Sequence, residues 1–110
     1  MPVSSSPNAE TSAQGRIRDA VVPMLRPYAS RIELFGSEAR GDSTPSSDID
    51  ILVTLRPPEH RPPLGLRWFE LEQELSDQLG RSVELVTERA LSPHLRSHVA
   101  ADRLTLYEDE

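Results

Sequence analysis

The chain has 110 residues, of which 36% are hydrophobic and 27% charged, with a formal net charge of -6 and no cysteine. That length suits one domain whose single core buries roughly two-thirds of the unfolded surface, and the missing cysteines exclude a disulfide framework, a thiolate zinc site and a cysteine nucleophile. The acidic balance argues against a direct grip on nucleic acid, which needs a basic face, and no stretch approaches the roughly 20 apolar residues of a membrane helix.

A reducing, cytoplasmic setting is expected on the cysteine count. A small polyphosphate is still compatible with the charge, because a bound divalent cation reverses the local sign of an acidic pocket. Along the chain, residues 1–14 are Ser, Pro, Ala and polar residues without periodicity, the composition of a disordered tail. Ile17, Ala20, Val21, Met24 and Leu25 then recur at spacings of three and four and predict a first helix over residues 16–25. Pro23 should kink or shorten it and Pro27 should end it. Residues 31–35 alternate, with Ile32 and Leu34 facing one way, and read as a strand broken by Gly36. A short helix over residues 37–40, stopped by Gly41, and a polar loop over residues 42–47 are expected next.

Residues 48–55 read DIDILVTL, a run rich in β-branched side chains and ended by Arg56, Pro57 and Pro58, which predicts a strand. After a proline-rich connection over residues 57–63, Leu66, Phe69, Leu71, Leu75 and Leu79 lie at roughly helical spacing up to a capping Gly80. Residues 82–86 form another short strand, with Val83 and Leu85 on the face opposite Glu84 and Val86. Pro93 suits the first turn of a last helix running to about Asp102. Leu104, Leu106 and Tyr107 add an edge strand, residues 108–110 are an acidic tail, and the domain proper spans residues 15–107.

The stretch that carries chemistry is GSEARGDSTPSSDIDILV, residues 36–53. A strand that ends in Gly36-Ser37 and turns into a helix directs backbone N–H groups and the positive helix end at whatever sits above, which suits phosphate. Asp48 and Asp50 are spaced i, i+2 on a strand, so both carboxylates point to one face while Ile49, Ile51 and Val53 point to the core. Two adjacent acids at the head of an apolar strand are costly without a cation, and Mg²⁺ (or Mn²⁺) bridging to triphosphate oxygens resolves the cost. Taken singly, Gly-Ser before a helix is usually a turn, and Asp48 could be a solvated turn residue. The combination is far more specific than its parts.

The pattern G-S-x-A-R-G followed by S-D-I-D and an apolar strand strongly resembles the minimal nucleotidyltransferases of the polymerase-β-like superfamily. Gly36, Ser37, Ala39, Arg40, Gly41, Ser47, Asp48, Ile49 and Asp50 occupy every fixed position, and the resemblance runs from about Arg16 to Tyr107. It implies an α/β (α+β) nucleotidyltransferase fold, a small mixed sheet flanked by helices, with ATP as substrate and AMP transferred in a two-metal displacement. Asp48 and Asp50 would hold the ions, Ser37 and neighbouring amides the terminal phosphates. The family's third aspartate, in a V-D-L-V pattern, is here Glu84, which keeps the charge one methylene further out. Glu84 is expected to be a third metal-site acid that positions or deprotonates the acceptor hydroxyl; otherwise it is a strand residue facing solvent. Arg40 suits either phosphate or a structural ion pair.

His94 and His98 are spaced i, i+4 but have no HExxH-type acid between them, so a solvated helix face is expected rather than a metal site. Trp68 and Phe69 are expected in the core or at a partner contact. The chain has no room for an acceptor-gripping domain, and the resemblance implies a separate partner: a helical HEPN RNase toxin, adenylylated by this chain as its antitoxin. The acidic charge suits a basic partner. Two alternatives are an antitoxin that acts by binding alone and the catalytic subunit of a small-molecule nucleotidyltransferase.

Overall fold

The computed structural model describes residues 13–36, 39, 41, 47–90 and 103–109. The expectations for residues 1–12, for Ser37 and Arg40 in the short helix after Gly36, for most of the following loop, and for the last helix with His94 and His98 lie outside them. Four strands, β1 (Ala29–Phe35), β2 (Ile49–Leu55), β3 (Val83–Thr87) and β4 (Arg103–Glu108), and two longer helices, α1 (Ala13–Leu25) and α2 (Arg67–Leu79), make up the described fold.

The strand expected from DIDILVTL lies inside the sheet, whose order is β3-β2-β1-β4. β2 pairs antiparallel with β1 and parallel with β3, while β4 lies antiparallel on the far edge of β1. A parallel neighbour demands a long crossover, and α2 with its flanking loops supplies it. The sheet is therefore mixed, as expected, and the two helices pack together beside it.

Strand alternation divides β2 between two environments. Ile49, Ile51 and Val53 are fully buried with Ile17, Val21 and Leu25 of α1 and with Leu71 and Leu75 of α2. Asp50, Leu52 and Thr54 occupy the opposite face, where Leu52 is buried with Phe35 and Val86 packed against it. α2 ends as expected: Gly80 takes a left-handed φ of 68°, and its N–H bonds the Ser76 carbonyl at 2.9 Å.

One expectation is corrected, and three details come from the structure alone. α1 begins at Ala13, inside the segment read as tail. Pro23 lies inside this helix, which ends at Leu25 as expected; the proline withholds one N–H from the helix ladder, and beyond it Arg26 N–H reaches the Val22 carbonyl at 2.9 Å. Leu66, just before α2, and Phe69 on it are 78% and 64% exposed. At 100° per residue Phe69 lies about 160° from Leu71 around the helix, so only Leu71 and Leu75 reach the sheet, while Trp68 packs at the core's margin. In β1, Glu33 faces away from Ile32 and Leu34 yet is only 3% exposed. Arg103 Nε lies 3.3 Å from its Oε2, and its Oε1 has no hydrogen-bond partner among the described residues.

Candidate active site

The register of the central strands gathers the acids. Asp50 of β2 lies directly beside Glu84 of β3 on one side and Phe35 of β1 on the other. Glu84 is exposed, Asp50 half-buried, and Asp48 exposed at the second residue before Asp50. Asp48 was expected inside the strand but immediately precedes it, since β2 begins at Ile49; Asp50 lies within β2, with Glu84 beside it on the same sheet face.

Glu84 is held there by the helix that follows β2. Ser76 Oγ accepts the Val83 N–H at 3.0 Å, and Glu72 Oε2 accepts the Leu85 N–H at 2.9 Å. Two side chains of α2 therefore satisfy the edge amides of β3 on either side of Glu84, fixing its register and covering a strand edge that would otherwise recruit another strand. The Asp48 segment is fixed from the same direction. Arg81 donates from Nε and Nη2 to the Ser47 carbonyl at 3.0 and 2.8 Å, and Ile49 N–H bonds the Ser82 carbonyl at 2.8 Å. Nothing in the sequence pattern pointed to Arg81, because its partner is 34 residues away.

Gly36 closes the other side. Its φ of 75° is a conformation that L side chains rarely adopt, and a Cβ there would meet Asp50 Oδ2 at 3.0 Å. The sequence explained this glycine by close approach to phosphate; in the structure the group that approaches it is the Asp50 carboxylate.

The electrostatics follow from this crowding. Burial pushes the Asp50 carboxyl up to about 6, reinforced by the charge of Glu84, a hydrogen bond with Glu84 and the charge of Asp48. An acid raised by its acidic neighbours is a site with excess negative charge, which a cation would relieve. Among the described residues no three His, Asp or Glu side chains close into a metal cage. Mg²⁺ is usually held by one or two carboxylates together with substrate phosphates rather than by an all-protein cage. The donors are all hard carboxylate oxygens, the correct chemistry for this ion. Ser37 and Arg40, the expected phosphate contacts, lie outside the described residues.

Comparison with known proteins matches residues 16–106 to the family described as "Nucleotidyltransferase domain". A Methanocaldococcus jannaschii protein named "Putative protein adenylyltransferase" is 43% identical over 72 residues, 64% of this chain and 69% of that protein. The protein adenylyltransferase MntA of Thermococcus cleftensis is 43% identical over 60 residues, 54% of this chain and 57% of its own. Among solved structures, a toxin-antitoxin crystallised with AMP-PNP superposes with a TM-score of 0.68 at 31% identity, covering 84% of this chain and 74% of the other. A tri-AMPylated Shewanella oneidensis HEPN toxin in complex with its MNT antitoxin gives 0.63 at 30% identity, covering 86% and 72%.

Proposed function

The chain belongs to the nucleotidyltransferase domain family, and from that premise we propose that it transfers AMP from ATP to a hydroxyl of a partner protein, a HEPN-type toxin that it thereby silences as antitoxin. The observation that carries this reading is the acid pair of Asp50 and Glu84 across β2 and β3, with Asp48 at its edge and the Gly36 turn against it. The protein adenylyltransferase relatives and the likeness to an AMPylated toxin bound to its antitoxin support the choice of acceptor.

Asp48 and Asp50 would hold Mg²⁺, with Glu84 completing the acidic face. Bound there, the ion supplies charge neutralisation for the triphosphate. The chain's own residues do the rest. Gly36 gives the backbone room beside Asp50, and by family resemblance Ser37 would contact the triphosphate. Glu84, exposed and next to Asp50, takes the proton of the acceptor hydroxyl. The hydroxyl oxygen then forms a bond to the α-phosphorus, the bond from that phosphorus to the bridging oxygen breaks, and diphosphate leaves with the electron pair. Arg81 keeps Ser47 and hence Asp48 in place, and the acceptor hydroxyl belongs to the partner protein.

The test is diphosphate release. With ATP, Mg²⁺ and the cognate toxin, diphosphate should accumulate in step with toxin consumed; it should be absent when toxin is omitted or when Asp48→Asn and Asp50→Asn are combined. Release that ignores the double substitution would refute the site, and no release with intact protein would refute the transfer.

A further inference from the structure

At the opposite end of the sheet from the acids, a half-open cavity of about 380 Å³ lies where β2 and β3 end. Asp50 and Leu55 are five residues apart on one strand, so this cavity is roughly 17 Å from the acidic face. Its volume falls within the roughly 300–1,000 Å³ of small-molecule sites. Leu55, Pro57 and Pro58 give it an apolar wall, and Arg56, Arg61 and Arg89 line it as well. In a chain of net charge -6, three arginines line one cavity whose described lining holds one acid, Glu88, and even with Arg56 offset by Asp109 the arginines outnumber the acids.

The three arginines are not equivalent. Arg56 is committed to the fold: it pairs with Asp109 at 2.6 Å, and its Nε and Nη2 donate to the Arg26 carbonyl at 3.3 and 3.2 Å. Arg61 is anchored through Nε, which donates to the Arg56 carbonyl at 2.9 Å, and its two terminal nitrogens have no acceptor among the described residues. Arg89 has no hydrogen bond or ion pair among the described residues. It sits on the short 3-10 turn Glu88–Ala90, which is pinned by Ala90 N–H donating to Thr87 Oγ1 at 3.2 Å. Glu88 is drawn aside toward Thr54, whose Oγ1 lies 3.4 Å from its Oε1.

We propose that this cavity is a second binding site, distinct from the acidic face, for a small organophosphate: the phosphate on Arg61 and Arg89, the organic body on Leu55, Pro57 and Pro58. Guanidinium forks match phosphate oxygens two at a time, and the apolar wall offers contact that inorganic phosphate does not use. Binding here needs no metal, which separates it from any nucleotide bound at Asp48 and Asp50.

The experiment is an amide NMR titration of the full chain with AMP in EDTA, carried out on the Asp48→Asn/Asp50→Asn variant. Saturable shifts are expected at Thr54 to Arg56 and Thr87 to Ala90. Affinity should fall about tenfold or more in Arg61→Gln/Arg89→Gln, which keeps side-chain bulk, and should fall with added salt. Adenosine and inorganic phosphate should each bind at least about tenfold more weakly than AMP. Three outcomes overturn the proposal: no shifts at those amides, an unchanged affinity in the arginine variant, or inorganic phosphate binding as well as AMP.

Discussion

Asp50→Asn should stabilise the protein in chelator while removing its activity. In the folded chain Asp50 is raised from 3.8 to about 6 by burial and by Glu84 and Asp48, so the folded state binds its proton more tightly than the unfolded state does. Folded stability from this group is therefore fully present below pH 3.8 and lost as pH rises to about 6, the reverse of a salt-bridged aspartate. A rise of that size corresponds to about 3 kcal/mol for a fully buried group, but Asp50 is only half-buried and solvent screens the repulsion, so we take ~1 kcal/mol. Asparagine keeps the volume, carries no charge and can donate to Glu84. In EDTA at pH 7.5 the variant should melt higher by about 4–8 °C. Between pH 6 and 4 the wild type should gain about 1 kcal/mol relative to the variant, and taking the difference cancels the other titrating groups. Thermal melts followed by circular dichroism across that range provide the assay. A variant that melts lower at pH 7.5, or a wild-type advantage that does not change with pH, would refute the crowded-acid reasoning.

Gly36→Ala should cost about 1–2 kcal/mol through its left-handed backbone alone, and its methyl group must displace the Asp50 carboxylate; the melting temperature and ATP affinity in Mg²⁺ should both fall, measured by melting and calorimetry. Glu84→Gln should slow transfer by about 100-fold or more with ATP affinity nearly unchanged, whereas Glu84→Asp should retain a measurable rate; wild-type rates in both would place the base elsewhere. Arg81→Ala removes two donors from the Ser47 carbonyl and should raise KM for ATP in Mg²⁺ more than it lowers kcat, at a stability cost of about 1 kcal/mol; Arg81→Lys should recover part of the KM, which a purely structural loss would not.

The sheet's centre was legible because β2 carries an apolar, β-branched-rich run whose Ile49, Ile51 and Val53 alternate into the main core, while Leu52 is buried on the Asp50 face. Gly80 was legible for a similar reason, since a left-handed helix end selects glycine locally. What the sequence could not place depends on distant parts of the chain. The parallel register that sets Glu84 beside Asp50 rests on Ser76 and Glu72 of α2 holding the edge of β3, and the bond from Arg81 to Ser47 joins segments with no shared periodicity. Glu33 was silent because a charged residue on the outer face of a strand is ordinarily solvated, and its burial is set by tertiary coverage. The exposure of Phe69 was available from helical geometry, but apolar spacing alone grouped it with Leu71. Gly36 was singled out for phosphate, and the structure sets the Asp50 carboxylate against it.

Intact mass spectrometry of the cognate toxin, after incubation with this protein, ATP and Mg²⁺, is the most direct measurement of AMP transfer to a partner. The toxin should gain one or more AMP units and lose its activity in parallel, with neither change when Asp48 and Asp50 are both replaced by Asn. Silencing of the toxin with no gain in mass, and equally by the double variant, would contradict transfer and leave an antitoxin that acts by binding alone.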